Sequence, residues 1–385
     1  MIPALVLGSG LTALGAQRCL GRVGVPTIAD APEDDLAAWT RWYRPVAGPM
    51  RVDSLARDLA ASALERAVLV PCTDDATLAV ARLPAELRER FPACVAPAET
   101  IERLSDKGRL LETLDRVGVP HPETWDVASA ADVAAVPDGG WAGAFLKPRD
   151  SQRFFAAYKR KGVWVHSREE AVRELERLIE AGFGMVVQWY VPGPRRNHVF
   201  LDGFRDRRGT VQGLVARRRI RMWPPDFGNN SAFVSIPVAE IAEARDSLAR
   251  LLDAVGYRGT FSAEFKQDAR DGAFKLLEVN VRPWWYVEFA QRCGFNAPQM
   301  MYDDALGRDV TPARPGEVGR RLVYIYYDAV ACWHDWVRGE LTLAEWTDGW
   351  LGADTALFAW DDPAPRVRSS ARWAWRWLSR KIRAR

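Results

Sequence analysis

The sequence has few cysteines, no long apolar run and no internal repeat. Its five cysteines are scattered without a CxxC pair, which argues against a disulfide framework or a zinc site and indicates a reducing, cytoplasmic compartment. The sequence contains no run of about 18 uncharged apolar residues, so no transmembrane helix is predicted. The apolar N-terminus lacks the basic segment of a signal peptide. No Ser–His–Asp or Cys–His pattern indicates nucleophilic catalysis.

Acidic residues are absent from the C-terminal segment. Residues 364–385 contain eight Lys or Arg and no Asp or Glu, so the formal charge of +3 belongs to this tail and the rest of the chain is acidic. Placed on a helix, residues 367–385 put arginines on one arc and tryptophans on the other. Such a helix either lies in an anionic membrane interface, at the inner face of the membrane, or packs its tryptophans on the body. Nucleic-acid binding is not expected, because the body is acidic and carries no recognised motif.

The first segment predicts a small α/β domain over residues 1–97, with a parallel sheet. Its loop GSGLTALG has glycines at 8, 10 and 15 and departs from the dinucleotide fingerprint at the last position. Asp30 stands near the place of a ribose-binding acid. Two readings remain open: a nicotinamide-dependent oxidoreductase using this loop, or glycines that serve a tight turn and close helix packing.

The segment FSAEFKQDARDGAFKLLEVNVRP predicts a β-hairpin with an Asp-Gly turn. Glu278 and Asn280 are two residues apart on one strand, so they share a face, and Glu264 on the other strand can lie opposite them. Carboxylate and amide oxygens suit Mg²⁺ held together with substrate phosphates. The alternative is a solvent-facing sheet edge with ordinary acids.

Other polar motifs stand in a fixed order before this hairpin. Lys107 follows Ser-Asp on a helix, Lys147 ends the strand FLKP, and the strand VVQWYV leaves through Pro-Gly near residue 193. This ordered set resembles the ATP-grasp superfamily. The resemblance implies a mixed α/β and α+β fold in which two antiparallel sheets clamp a nucleotide. The implied units are 1–97, an ATP-grasp domain over 98–310 with a small lobe of about 115–190 and a large lobe of about 190–310, and a helical extension over 311–385.

The resemblance also implies binding roles for ATP and Mg²⁺. The implied ATP-binding residues are Lys107, Lys147, Ser151, Gln188, Trp189, Tyr190, Val191 and Asn197. Both lysines would bind phosphates, residues 188–191 would pair their backbone with adenine, and Ser151 would begin a mobile phosphate-covering loop that ends at Lys161. The family often has glutamate where this chain has Gln188 and Asn197. Glu264, Glu278 and Asn280 would hold Mg²⁺, and Arg282 would contact the γ-phosphate or an acyl phosphate.

The segment ARRRIRMWPPDFGNNSAF is similar to the carboxylate–amine ligase branch that includes D-aspartate-ligase-like enzymes. Its arginines at 217, 218, 219 and 221 predict a groove for phosphate and carboxylate, with a charged hairpin strand as the alternative. Arg218 and Arg221 are the predicted ligands of the carboxylate or oxyanion. His198 is interpreted as structural, and no general base is identified.

The resemblance therefore implies an ATP-dependent ligase that joins a carboxylate to an amine through an acyl phosphate. The substrates would be small molecules, an amino acid or a peptide, with a cell-envelope precursor as one possibility. A catalytically inactive scaffold that attaches to membranes through its tail is a further alternative. The substrates and the oligomeric state are left open by the sequence.

Overall fold

The computed structural model describes residues 1–225, 228–314 and 316–383. The N-terminal unit is a three-stranded parallel sheet in the order β2-β1-β3, with its strands buried between helices. This matches the predicted open α/β unit, because short, wholly apolar strands alternate with helices. The strands are β1 (Ala4–Leu7), β2 (Thr27–Ala29) and β3 (Val68–Pro71). The helices are α1 (Gly10–Gly21), α2 (Leu55–Ala61), α3 (Asp74–Ala81) and α4 (Ala85–Arg90).

Two helices lead from this unit into the next one, where the sequence predicts a single helix. They are α5 (Ala98–Ser105) and α6 (Lys107–Val117). The chain breaks at Asp106, whose backbone is extended and whose side chain accepts a hydrogen bond from the amide of Arg109. This N-cap starts a new helix at Lys107, because it satisfies an amide that the helix itself leaves unpaired.

The small lobe is an antiparallel four-stranded sheet in the order β4-β7-β5-β6 with helices packed on one side. Its strands are β4 (Thr124–Val127), β5 (Ala144–Pro148), β6 (Val163–Val165) and β7 (Met185–Trp189). Its helices are α7 (Ala130–Ala134), α8 (Ser151–Tyr158) and α9 (Arg168–Glu180). Helix α8 occupies most of the stretch where the sequence predicts a mobile loop. A turn follows, in which Lys159 adopts a φ of 55°.

The large lobe is built on a seven-stranded sheet in the order β12-β11-β8-β9-β10-β13-β14. Its first five strands are antiparallel: β8 (His198–Arg205), β9 (Val211–Trp223), β10 (Asn229–Ile236), β11 (Gly259–Gln267) and β12 (Phe274–Asn280). Its helices are α10 (Ala242–Ala254), α11 (Val287–Arg292) and α12 (Ala297–Ala305). Apolar cores on both faces bury the sheet, which holds the polar edge of β11 and β12 in a fixed place.

The C-terminal segment is not only helical, because two of its strands extend the large sheet beyond residue 310. These strands are β13 (Arg321–Val323) and β14 (Asp354–Thr355), and the helices are α13 (Ile325–Val337), α14 (Leu343–Trp350) and α15 (Ala364–Arg383). Arg18 on α1 fixes this segment to the body. Its guanidinium is fully buried and bonds Glu288 and Asp362, each at 2.9 Å. The segment WDDP (residues 360–363), which contains Asp362, therefore attaches the C-terminal segment to α1.

Candidate active site

The predicted hairpin is present and brings its acidic residues together. Glu264 on β11 is the register partner of Glu278 on β12, and Ser262 is the partner of Asn280. A β-bulge follows directly after Glu264. Because directly opposed like charges destabilise a sheet, this pairing favours a bound cation over an ordinary solvent-facing edge.

Glu264 is held by two cationic or polar neighbours. Its Oε1 accepts a hydrogen bond from the guanidinium of Arg219 at 2.8 Å and contacts Nδ1 of His198 at 2.8 Å. Burial alone would raise the pKa of Glu264, but Arg219 and His198 outweigh it and hold that pKa well below the ordinary value. Glu264 is therefore ionised, and its Oε2 has no hydrogen-bond or ion-pair partner among the described residues.

The two predicted lysines approach the same hairpin from the other side of a cleft. Lys107 Nζ donates to Ser151 Oγ at 2.7 Å, and Lys147 Nζ donates to Gln188 Oε1 and to the carbonyl of Leu277, both at 3.3 Å. Burial is the main cause that lowers the pKa of Lys147 to about 8. Among the described residues, the Lys147 ammonium donates hydrogen bonds to neutral oxygens only, so this buried cation is suited to an anionic ligand.

Two cavities meet at Leu277 and Glu278. The larger, of about 450 Å³, opens toward α3, α5 and the start of α6 and includes Lys107, Ser151 and Asn280. The smaller, of about 110 Å³, runs between the lobes along the strand end at residues 188–191. Glu278 lines both cavities, so it would contact the middle of a ligand that extends from one cavity into the other.

Residues 188–191 form a hinge between the lobes. The amide of Trp189 donates to the backbone carbonyl of Glu123 at 3.0 Å, and the amide of Tyr190 donates to the backbone carbonyl of Gly143 at 2.7 Å. Among the described residues this leaves the amide of Val191 as the hinge donor for a ligand. Trp189 packs on Trp125 with ring centroids 4.7 Å apart, so its side chain is used for packing. Asn197 donates to the carbonyl of Gln267 at 2.9 Å and does not line the cavity.

The arginines of β9 differ in burial and in their partners. Arg217, Arg219 and Arg221 are buried, whereas Arg218 is partly exposed and pairs with Glu240 at 3.1 Å. The register of β9 against β10 shifts at Ile220, which interrupts the alternation of faces between Arg219 and Arg221. Arg219 is the one that lines the smaller cavity. Arg221 forms a bidentate pair with Asp328 on α13, at 2.9 and 2.7 Å. The structure therefore does not bring Arg218 or Arg221 to the cleft.

Arg282 lies beside the β11–β12 hairpin but is directed toward the N-terminal unit. Its Nε bonds Asp74 at 2.8 Å, and its second amino group reaches Asn280 Oδ1 at 3.3 Å. It connects α3 to β12. In this arrangement its guanidinium holds the side chain of Asn280.

Comparison with known proteins finds similarity to ligases and synthetases. No family model matches the chain. The chain is 23% identical to the D-aspartate ligase of Enterococcus faecium over 320 residues, which is 78% of this chain and 76% of that protein. It superposes on N5-carboxyaminoimidazole synthetase of Staphylococcus aureus, complexed with ADP, with a TM-score of 0.63 and 14% identity, over 83% of this chain and 80% of the other. L-amino acid ligase of Bacillus licheniformis gives a TM-score of 0.60 at 14% identity, over 79% and 74% of the two chains.

This chain has the ATP-grasp fold. The predicted fold, with two antiparallel sheets that face each other across a hinge, is confirmed. The glycine loop of the N-terminal unit has the packing role that was the alternative to a dinucleotide site. A Cβ on Gly15 would come within 2.9 Å of Val287 on α11, so this glycine allows α1 to pack closely there.

The residues of this ATP-grasp site fit ATP and Mg²⁺ on their own chemistry. The hairpin offers two carboxylates and an amide oxygen, which are hard ligands of the kind that Mg²⁺ takes together with phosphates. The described residues contain no group of three His, Cys, Asp or Glu that could hold a metal ion. Lys107 and Lys147 supply the cations that a phosphate chain requires.

Sequence reasoning missed three residues of the cleft. Arg219, Lys161 and Lys266 line the smaller cavity, as does His198, which the sequence suggested was structural. The period of two along β9 was a usable signal for Arg219, because it separates residue 218 from residues 217, 219 and 221. Lys161 donates to Asn229 at 2.7 Å across the cleft, a contact that only the folded chain creates.

Proposed function

We propose that this protein is an ATP- and Mg²⁺-dependent ligase that joins a carboxylate to an amine through an acyl phosphate. The observation that supports this most strongly is the convergence of Lys107 and Lys147 with Glu264, Glu278 and Asn280 across one cleft beside a hinge. The similarity to a D-aspartate ligase agrees with this reaction class. Glycine packing in the N-terminal unit leaves the oxidoreductase reading without support.

Each side chain has a task that its contacts make possible. ATP would supply the phosphoryl group that activates the carboxylate, with Mg²⁺ neutralising phosphate charge. Lys107 and Lys147 hold the phosphate chain, and Glu264 and Glu278 hold the metal. Arg219 is proposed to stabilise the acyl phosphate, because it is the β9 arginine that lines the cavity. It replaces Arg218 and Arg221, which the sequence predicts as ligands of the carboxylate or oxyanion.

Arg282 is proposed to position Asn280, with which it shares a hydrogen bond.

Once the acyl phosphate has formed, the amine nitrogen attacks its carbonyl carbon. The bond from that carbon to the phosphate oxygen breaks, and inorganic phosphate leaves. The amine gives up a proton and an amide remains. The protein's main contribution is to hold the reactants in place and stabilise their charge.

The carboxylate donor is proposed to be an amino acid, and the similarity makes D-aspartate the first candidate to test. Purified protein would be incubated with ATP, Mg²⁺ and combinations of amino acids, peptides and cell-envelope precursors. The expected result is release of ADP and phosphate that requires both a carboxylate and an amine. Binding of NAD(P)H without binding of ATP would contradict the proposal.

A second proposal concerns the tail. We propose that residues 367–385 contact an anionic membrane surface. The helix α15 starts on the body, where Arg372 pairs with Asp34 at 2.8 Å and Trp373 stacks on Tyr326. Even so, Trp373 and Trp375 remain 61% and 71% exposed. Exposed tryptophans beside basic residues are typical of interfacial helices.

The test is deletion of residues 367–385. Binding to vesicles that contain anionic lipid should fall strongly, while activity on soluble substrates should change little. Equal vesicle binding before and after the deletion would refute the membrane contact. Among the described helices, none is long and apolar enough to span a bilayer.

A further inference from the structure

Lysine is rare in this chain and is concentrated at the cleft. The sequence has seven lysines against 46 arginines. Four of the seven, Lys107, Lys147, Lys161 and Lys266, line the two cavities that meet at Glu278. The chain therefore uses arginine for most of its surface and structural ion pairs and places lysine where a compact cation faces a ligand.

Three of these lysines have oxygen partners, and Lys266 has none among the described residues. Lys107, Lys147 and Lys161 each donate at least one hydrogen bond. Lys266 is 1% exposed, and its Nζ is a buried polar atom without a hydrogen-bond partner. Its one strong neighbour is the ring of Tyr190, whose centroid lies 3.8 Å from Nζ. A ring face offsets only part of the cost of burying an ammonium.

The position of Lys266 along β11 indicates which end of a nucleotide it meets. Lys266 follows Glu264 by two residues on the same face of the strand, about 6.6 Å farther along. In that direction β11 runs toward the hinge, since the amide of Ala269 donates to the carbonyl of Pro192 at 3.0 Å. Glu264 marks the metal end of the cleft and the hinge marks the base end. Lys266 thus lies on the base side of the metal ligands.

We propose that Lys266 is a nucleoside-recognising residue, whose ammonium donates a hydrogen bond to an acceptor on the base or ribose of ATP. The inference rests on the proposed function, because it assumes that ATP occupies this cleft. It assigns the orphaned Nζ a partner that arrives with the ligand. The same amine would make no contact with a ligand that consists of phosphates alone.

The experiment compares Lys266→Met with Lys275→Met in the full-length protein. Lys275 is on the neighbouring strand β12, bonds Asp268 at 2.8 Å and does not line the cavity. Calorimetric titration would give the affinities for ATP and for tripolyphosphate, both with Mg²⁺. Lys266→Met should weaken ATP binding roughly 10- to 100-fold, since a charge-assisted bond is lost. It should change tripolyphosphate binding by less than about threefold, and Lys275→Met should change neither.

Each other outcome has a defined meaning. Unchanged ATP affinity in Lys266→Met would overturn the inference and leave Lys266 as a partner of Tyr190 alone. An equal loss for ATP and tripolyphosphate would overturn its assignment to the nucleoside end. Absence of ATP binding by the wild-type protein would instead refute the proposed function. Lys266→Leu, which also removes the donor, gives the same comparison if the methionine variant does not fold.

Discussion

The two glutamates of the β11–β12 hairpin allow one prediction with an internal control. Glu264→Gln and Glu278→Gln make the same chemical change at register partners on adjacent strands. Both variants should lose turnover, because each removes a carboxylate proposed to hold Mg²⁺. Only Glu264→Gln should also lose stability. The comparison therefore separates a role in catalysis from a role in the fold.

The difference in stability follows from the partners of each carboxylate. Glu264 bonds Arg219 and His198, and Arg219 is 3% exposed. Removing the charge on Glu264 strips a buried guanidinium of its ion pair, at a cost of about 2–4 kcal/mol. Glu278 makes no ion pair or hydrogen bond at its carboxylate within the described part of the chain. Its neutralisation should change the free energy of unfolding by less than about 1 kcal/mol, and relief of repulsion from Glu264 favours a gain.

The assays are release of ADP at saturating substrates and urea unfolding followed by fluorescence. Turnover should fall roughly 100-fold or more in both variants, and Glu278→Gln should need more Mg²⁺ for half of its residual rate. Wild-type ADP release by Glu278→Gln would refute the metal role. By this reasoning Glu264 belongs to the buried ion-pair network and Glu278 lies outside it. Equal destabilisation by both substitutions would refute that assignment.

Further predictions concern the arginines of β9 and the lysines. Arg219→Met should lower turnover at least about tenfold, whereas Arg218→Met should stay within about threefold, as measured by phosphate release; the reverse order would contradict the assignment. Arg221→Met should lower the free energy of unfolding by about 3–5 kcal/mol because it leaves Asp328, which is fully buried, without its cation. If Arg221→Met unfolds at the same urea concentration as the wild-type protein, the Arg221–Asp328 pair does not stabilise the fold. Because the protonated amine of Lys147 binds phosphate and burial lowers its pKa to about 8, ATP affinity should hold below pH 8 and fall as the pH rises through it. Lys147→Arg, which stays charged, should reduce that fall, and an affinity that is constant to pH 9.5 would contradict the prediction.

The β9 arginines show how far local pattern carries a site prediction. The sequence marks them as unusual, and the alternation of a strand divides them into two faces before any tertiary contact is known. It does not distinguish Arg219 from Arg221, since a strict period of two would put both on one face and both are buried. That choice is made by Asp328 on α13, more than one hundred residues later, which pairs with Arg221 and removes it from the cleft.

The C-terminal segment shows the same division between local and distant information. Its basic, tryptophan-rich helix was readable from spacing, and α15 is a helix. The two short strands β13 and β14 were not, because three and two residues carry too little pattern to predict pairing. Their existence depends on the free edge of β10, which offers backbone hydrogen bonds only after the large sheet has formed.

The sequence alone determined the hairpin, the order of the motifs and the fold class. Turn chemistry and the period of a strand act between near neighbours, so they predict the hairpin and put Glu278 and Asn280 on one face without reference to the rest of the chain. The register shift after Glu264 then sets Glu264 opposite Glu278. Only the tertiary structure decided which cations reach the cleft. Arg219 and Lys266 owe their roles to burial between lobes, and burial is set by contacts between segments far apart in sequence. A local pattern can show that a charge is unusual, but its partner is fixed by the packing of the whole molecule.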